Sequence, residues 1–398
     1  MADSKDWRVL VTDGDALHSL AIVRSLGQKG MKVTVSSHRG VFSLSFYSKY
    51  CQKRLTYPNP TDKKEFINFL IGHIRKNQYD ILLPVRSTIT PLVSEYQDAL
   101  RPYIDFVIPS LESMEIANSK EKTFQFAEKI GIPIPRTFYP QSVSEVEAVS
   151  GKLKFPVVIK SVFGSGSKGI TYVNSMSRLV ELCDKSFKKG NSTSGSFILQ
   201  EFIPGEGYGF FAIFDRGEPK AIFMHHRLRE YPITGGPSSL AESIYDERLK
   251  ELGLKMLGEL NWNGVAMVEF KLDNRDNRFK LMEVNPKFWG SLNLAIASGV
   301  DFPYLFCLLA KGEKFKSVFK YKQGVKFRWL FPNDLMYLLA HYGLSFKFYK
   351  DFFDGSVNYD ISFSDIKPNI LEFFLAGGYL IQNKGRIRYP QGKPKIID

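Results

Sequence analysis

Two carboxylates and an amide are set where a divalent cation could be held between adjacent strands. In VAMVEFKLD-NRDN-RFKLMEVN, residues 265–285, a polar turn near Arg275 and Asp276 separates two apolar, strand-like runs. Glu269 and Glu283 stand almost equidistant from that turn, so a hairpin would bring them opposite each other. Side chains alternate along a strand, which puts Glu283 and Asn285 on one face and Met282 and Val284 on the core side. The neighbours expected on the acid-bearing face, Phe279 and Leu281, are apolar, unlike those of a solvated edge. Two carboxylates at cross-strand distance repel unless a cation lies between them. Mg2+ takes oxygen ligands, a few from protein and the rest from phosphate and water. Pro286 then ends the run, followed by Lys287 and by Gly290-Ser291, which can open a helix.

A glycine loop, FGSGSKGI, is the second chemical feature, with Gly164, Gly166 and Gly169. It is a literal GxGxxG, but the strand-like ITYV follows where a dinucleotide site needs a helix. It does not match GxxxxGK[ST] either. Between two strands, such a loop is either a mobile surface hairpin or a flap whose backbone N–H groups close over phosphates. Lys160 precedes the loop, and HRD and DFG motifs are absent, so a protein kinase is excluded. In HHRLREYPITGGPSS, Arg227 and Arg229 are expected on one strand face ahead of a Gly-Gly loop. That pair suits either a bound carboxylate or a salt-bridged surface strand. His225 and His226 are expected in packing or polar contacts rather than in catalysis.

The elements that must carry these residues alternate along the chain. WRVLVTDGDALHSLAIVRSLGQKGMKVTVSS reads as strand, turn, amphipathic helix, glycine stop and strand, and DILLPV (80–85) and DFVIPS (105–110) as further strands. This is the rhythm of a parallel sheet with helices on its faces. TDGDALHS is not GxGxxG, so no nicotinamide cofactor is expected there. Asn118 or Ser119 can cap a helix in NSKEKTFQFAEKIG, which Gly131 and Pro133 end. FPVVIKS and GITYV flank the glycine loop, FILQEF, GFFAIFD and KAIFMHHRLRE follow as strands, and residues 243–260 read as a helix. From about 316 onward the chain is rich in aromatics and Lys, with helices expected in WLFPNDLMYLLAHYGLSFKFYKDFF.

Bulk properties narrow the class. The chain of 398 residues is long enough for two or three domains. No apolar run is long enough to span a membrane, and MADSKDW lacks the layout of a signal peptide. Cys51, Cys183 and Cys307 lie far apart with no CxxC, which argues against a disulfide framework or zinc site and for a cytoplasmic location. Lys and Arg number 54 against 41 Asp and Glu, a net charge of +13, which favours anionic partners. No compact nucleic-acid motif accompanies that charge, so nucleic acid is disfavoured.

The glycine flap, the Lys residues before it and the late Glu…Glu-x-Asn hairpin occur in an order that resembles the ATP-grasp superfamily. The likeness is to its carbamoyl-phosphate-synthase-like and biotin-carboxylase-like members, and covers about residues 1–312. It implies a mixed α/β and α+β protein: a Rossmann-like N-terminal domain (1–115), an ATP-grasp domain (116–315) of two α+β subdomains clamping ATP, with a lid at about 155–205, and a C-terminal accessory domain (316–398). By the same resemblance Lys120 in NSKEKT, with Lys122 as a rival, and Lys160 in VVIKS contact the nucleotide. Gly164, Ser165, Gly166 and Gly169 belong to the flap. In LQEFIPGEG, Glu201, Phe202 and Ile203 match the adenine hinge, and Glu206 the ribose-binding acid. Glu269, Glu283 and Asn285 match ligands of Mg2+ (or Mn2+), expected as two ions. Lys287 stands where many relatives have Arg, keeping the charge but losing bidentate geometry.

The chemistry so implied is ligation of a carboxylate to an amine (or thiol) through an acylphosphate, with release of ADP and phosphate; Arg227 and Arg229 are the candidates for holding the substrate carboxylate. Phosphoryl transfer needs positioning and charge neutralisation more than a protein nucleophile. Bicarbonate activation, as in carboxylases and carbamoyl-phosphate enzymes, is one alternative, and a non-catalytic ATP-binding module is another. The aromatic, basic region 316–398 suits an accessory domain packed on the core, a substrate lid, a homo-oligomer contact or a surface resting on anionic lipid.

Overall fold

The computed structural model describes residues 6–162, 169–188, 197–231, 236–342, 345–382 and 396–397. Strands β1 (Arg8–Val11), β2 (Lys32–His38), β3 (Cys51–Tyr57) and β4 (Ile81–Leu83) form a parallel sheet in the order β3-β2-β1-β4. Its middle strands are buried on both faces, as parallel sheets require. Val9 and Val11 pack with helix Leu17–Gln28, while Leu10 and Leu82 pack with Phe66 and Leu70 of helix Lys63–Asn77. DFVIPS does not become a strand, since only Asp105 makes an isolated bridge, to Ile81. β3 was hidden in the sequence because its polar CQKRLTY lies at the sheet edge, where charged side chains block further pairing.

A second sheet contains β5 (Thr137–Phe138), β6 (Val157–Ser161), β7 (Ile170–Val173), β8 (Phe197–Glu201) and β16 (Ile396–Ile397), ordered β16-β7-β6-β8-β5. Helices Val143–Ala148 and Met176–Lys188 cover it through a small core around Val146, Leu179 and Cys183. β16 pairs in parallel with β7, so residues from the end of the chain close one edge of this sheet.

The third sheet is the largest: β9 (Gly205–Asp215), β10 (Glu218–Glu230), β11 (Ser238–Ser243), β12 (Gly264–Asp273), β13 (Arg278–Asn285), β14 (Lys326–Arg328) and β15 (Asn358–Tyr359). Its order is β13-β12-β9-β10-β11-β14-β15. Neighbouring Phe210 and Phe211 point to opposite faces, as strand geometry dictates. Phe210 enters the core beneath helix Glu247–Glu259, and Phe211 the core shared with the first sheet and helices Leu292–Ala297 and Phe302–Ala310. Gly253 lets the first of these helices sit close, because a Cβ there would lie 2.2 Å from the Phe210 ring.

β14 and β15 extend this sheet, so the boundary expected at residue 316 does not divide it. The C-terminal region is also tied to helix Leu17–Gln28. Arg24 Nε donates to Asp365 Oδ2 at 2.9 Å, and Arg24 Nη2 donates to Asp365 O and Asn369 Oδ1, both at 2.8 Å.

Candidate active site

The acid-bearing hairpin forms with Glu269 opposite Glu283 and Met267 opposite Asn285. One residue further, the register slips: Phe270 faces Leu281, leaving Met282 as an extra residue in β13, a β-bulge. An inserted residue exchanges the faces of everything beyond it. Phe279 and Leu281 therefore join Val284 in the core under helix Glu247–Glu259, while Met282 lines the cleft with Glu283 and Asn285. That corrects the alternation expected from sequence, which placed Met282 inside and Phe279 and Leu281 beside the acids.

The two carboxylates are held differently. Arg227 Nη2 donates to Glu269 Oε2 at 2.6 Å, and Arg227 Nη1 to Glu230 Oε1 at 3.2 Å. Asn285 Nδ2 donates to Glu283 Oε1 at 2.7 Å. Burial pushes the Glu269 carboxyl up from its ordinary range; Arg227 opposes that rise and Glu283 adds to it.

Lysines crowd the same wall. Ser119 caps helix Lys120–Lys129, its hydroxyl accepting from Lys122 N at 3.3 Å. The cap turns Lys120 into the cleft, whereas Lys122 Nζ donates to Glu115 Oε2 at 2.9 Å on the exposed side. Lys160 is buried on β6, and its Nζ donates to Gln200 Oε1 of β8 at 2.5 Å. Burial lowers its pKa to about 8, although Glu283 works against the fall. Burial also lowers Lys287, with Glu283 opposing and Arg86 assisting.

Of the residues expected as an adenine hinge, Phe202 and Ile203 line the cleft, and Ile203 O accepts from Lys271 Nζ at 3.2 Å. Glu201 also lines it while accepting from Arg275 Nη2 at 2.7 Å. Glu206 lies on the other side of β9, exposed and 2.9 Å from His226 Nε2. The next residue, Gly207, faces the cleft, where a Cβ would sit 3.1 Å from Arg227 Cδ and 3.3 Å from Glu230 Oε1. Glu230 of β10 is thus an acid in the cleft that the sequence did not single out.

Arg229 stands apart from the cleft, its Nη1 3.3 Å from Oδ2 of the fully buried Asp334. The shared face expected for Arg227 and Arg229 is broken by shifts in β10–β11 register between Arg227, Arg229 and Glu230. Those irregularities put Glu230, not Arg229, beside Arg227.

Gly164, Ser165 and Gly166 lie outside the described residues. Gly169, at φ +81°, closes the base of the loop, its carbonyl accepting from Ser161 N at 3.1 Å. Two histidines add polar atoms to the cleft. His18 Nε2 and both ring nitrogens of His225 are buried without a hydrogen-bond partner among the described residues. Burial depresses both, His18 to about 3, which favours the neutral imidazole in each.

The cleft has a volume of about 340 Å³. A neighbouring cavity of about 270 Å³ is bounded by Ser87 and Pro91 on one side and Asn118 and Thr123 on another. The two share Lys120, Glu283, Asn285 and Lys287 as a common wall.

Comparison with known proteins agrees with this architecture. Residues 195–331 match the family model for an ATP-grasp in the biosynthetic pathway with Ter operon, and residues 109–205 that of the carbamoyl-phosphate synthase L chain, ATP binding domain. The carbamoyl phosphate synthase large chain of Clostridium acetobutylicum is 23% identical over 211 residues, 50% of this chain and 20% of that protein. This chain thus spans a small part of that relative's length. The biotin carboxylase–β,γ-ATP complex from Campylobacter jejuni superposes with TM-score 0.67 at 17% identity, covering 80% of this chain and 74% of that one. The L-amino acid ligase from Bacillus licheniformis gives TM-score 0.60 at 16% identity, covering 77% and 75%. By sequence residues 195–331 are similar to an ATP-grasp family, and by fold about four fifths of the chain is similar to a biotin carboxylase.

Proposed function

We propose that this ATP-grasp protein joins a small-molecule carboxylate to an amine, using ATP and releasing ADP and phosphate. The carrying observation is the common wall of the two cavities. A nucleotide-sized cleft and a smaller chamber meet at Lys120, Glu283, Asn285 and Lys287, where a γ-phosphoryl group would change hands. In this assignment Glu201, Phe202 and Ile203 face the adenine, and Glu230 takes the ribose hydroxyls in place of Glu206. Lys120 and Lys160 neutralise phosphate charge, the Gly164–Gly169 segment covers the phosphates, and the substrate carboxylate occupies the smaller chamber beside Lys287. Arg227 acts through Glu269, fixing its carboxylate.

Glu269, Glu283 and Asn285 fit Mg2+ or Mn2+ by donor chemistry, being hard oxygen ligands opposed across a strand pair. Among the described residues no group of three or more His, Cys, Asp and Glu is placed to hold a metal by itself, so an ion there would need further ligands from phosphate and water. Bound there, the metal would supply neutralisation of phosphate charge. A carboxylate oxygen displaces ADP at the γ-phosphorus, giving an acylphosphate. The amine nitrogen then attacks the acyl carbon, phosphate departs and the amine proton is lost to solvent. The chain's part is to orient the reactants, offset charge and exclude water.

Bicarbonate as the activated carboxylate is the second candidate activity, favoured by the likeness to biotin carboxylase. ADP release should be measured with Mg2+ against panels of carboxylates and amines. Release that needs a carboxylate and rises with an amine supports ligation, and release on bicarbonate alone supports the alternative. Nucleotide binding without turnover across the panels overturns both in favour of a non-catalytic module.

A further inference from the structure

Helix Lys367–Gln382 is amphipathic with its faces reversed. At about 100° per residue, Ile370, Phe373, Phe374, Gly377 and Ile381 share one arc of about 100°. That arc faces outward, with Phe373 56%, Phe374 68% and Ile381 68% exposed. The inward arc carries Asn369, Glu372 and Ala376, all buried, with Asn369 bonded to Arg24 and Asp360. A helix whose polar residues are spent inside and whose aromatics face out needs an apolar phase to cover them.

Charge selects what that phase is. The only acid of the helix, Glu372, is turned inward, and exposed Lys367 flanks the apolar arc. The sequence that follows, NKGRIRYPQGKPKIID, carries Lys384, Arg386, Arg388, Lys393 and Lys395 against Asp398 alone. Two copies meeting through this face would bring two exposed Lys367 side chains and two net charges of +13 together, whereas an anionic surface neutralises them. Helix Phe346–Phe352 and its C-cap Phe353 present further exposed aromatics, Phe346 84% and Phe353 74% exposed, beside Lys347 and Lys350. No helix among the described residues is long and apolar enough to cross a membrane, so the arc is suited to lying on one.

We propose that helix Lys367–Gln382 is a docking surface for an anionic lipid bilayer. Ile370, Phe373, Phe374 and Ile381 enter the headgroup–acyl boundary, the flanking Lys367 pairs with lipid phosphates and carboxylates, and the sequence that follows adds cationic charge. The surface lies outside both cavities, so docking leaves the cleft accessible.

The test is flotation of the full chain with phosphatidylcholine vesicles, with and without phosphatidylserine. Binding is expected to the mixed vesicles, to be weak on phosphatidylcholine alone and to fall with salt. The double variant Phe373→Ser/Phe374→Ser should bind at least about tenfold more weakly, with unchanged melting temperature and nucleotide binding. A Lys384→Ala/Arg386→Ala/Arg388→Ala variant should lose binding and salt dependence together. Absence of wild-type binding to mixed vesicles overturns the proposal, as does undiminished binding by the double variant. A stable dimer in sedimentation equilibrium that this variant abolishes, with no vesicle binding, also overturns it and gives the face to a second copy.

Discussion

At the scale of single residues, charge in the cleft is balanced by contacts that differ between two facing acids. Glu269 leans on Arg227, and Glu283 on the neutral amide of Asn285. Glu283 is therefore the acid more open to an incoming cation. Glu283→Ala should lower Mg2+-dependent ATP turnover by about two to three orders of magnitude, the scale of losing one preorganised charge contact. Circular dichroism should show the fold retained, and wild-type turnover would remove the residue from the site. Lys160 gives a pH signature. Its ammonium is disfavoured by burial, with a pKa of about 8, and phosphate oxygens would favour the charged form. Nucleotide binding should thus take up a proton, and the Kd for ATP should rise as pH climbs through about 8. Titration calorimetry in buffers of different ionisation heat checks this, and Lys160→Arg should flatten the dependence because a guanidinium stays charged.

At the scale of elements, irregular pairing decides which residues reach the cleft. The Met282 bulge sends Glu283 and Asn285 outward while Leu281 and Val284 stay in the core. The irregularity in β10 seats Glu230 next to Arg227. Packing behind the sheet is tight, so Gly253→Ala sets two effects against each other. Alanine gains about 1 kcal/mol of helix propensity. Its Cβ would lie 2.2 Å from the fully buried Phe210 ring, and overpacking costs about 1–3 kcal/mol. The overlap is severe enough for the cost to win, and scanning calorimetry should show a lower melting temperature. The hairpin was legible because its acids flank a polar turn between apolar runs, and the Ser119 helix because of its cap. The bulges were not, because strict alternation cannot represent an added residue. In hindsight the spacing of buried Phe279, Leu281 and Val284, two and then three, marks the first. Glu206 was an expectation from family resemblance rather than from alternation, and it lies across β9 from the cleft, which is faced there by Gly207, a residue with no side chain to notice.

At the scale of the whole molecule, the C-terminal region is integrated through buried polar contacts rather than packed on as a separate unit. Arg24 reaches Asp365 and Asn369, and Glu372 lies buried beside them. Burial first, then Asp360, pushes the Glu372 carboxyl from an ordinary 4.5 up to about 8. The folded chain therefore keeps a proton that the unfolded chain releases, and stability falls as pH rises from 4.5 to about 8. Glu372→Gln should remove that loss, being more stable by about 1–3 kcal/mol above pH 8 and converging with wild type in acid. Melting curves across that range test it, and equal curves at high pH would contradict it. β16 adds a longer-range connection. Because Ile396 and Ile397 complete the second sheet beside β7, trimming the chain after residue 382 leaves β7 as a bare edge, open to pairing with another molecule. Affinity tags and truncations there are thus not neutral handling choices: they bear on whether that sheet pairs with a second molecule in the tube.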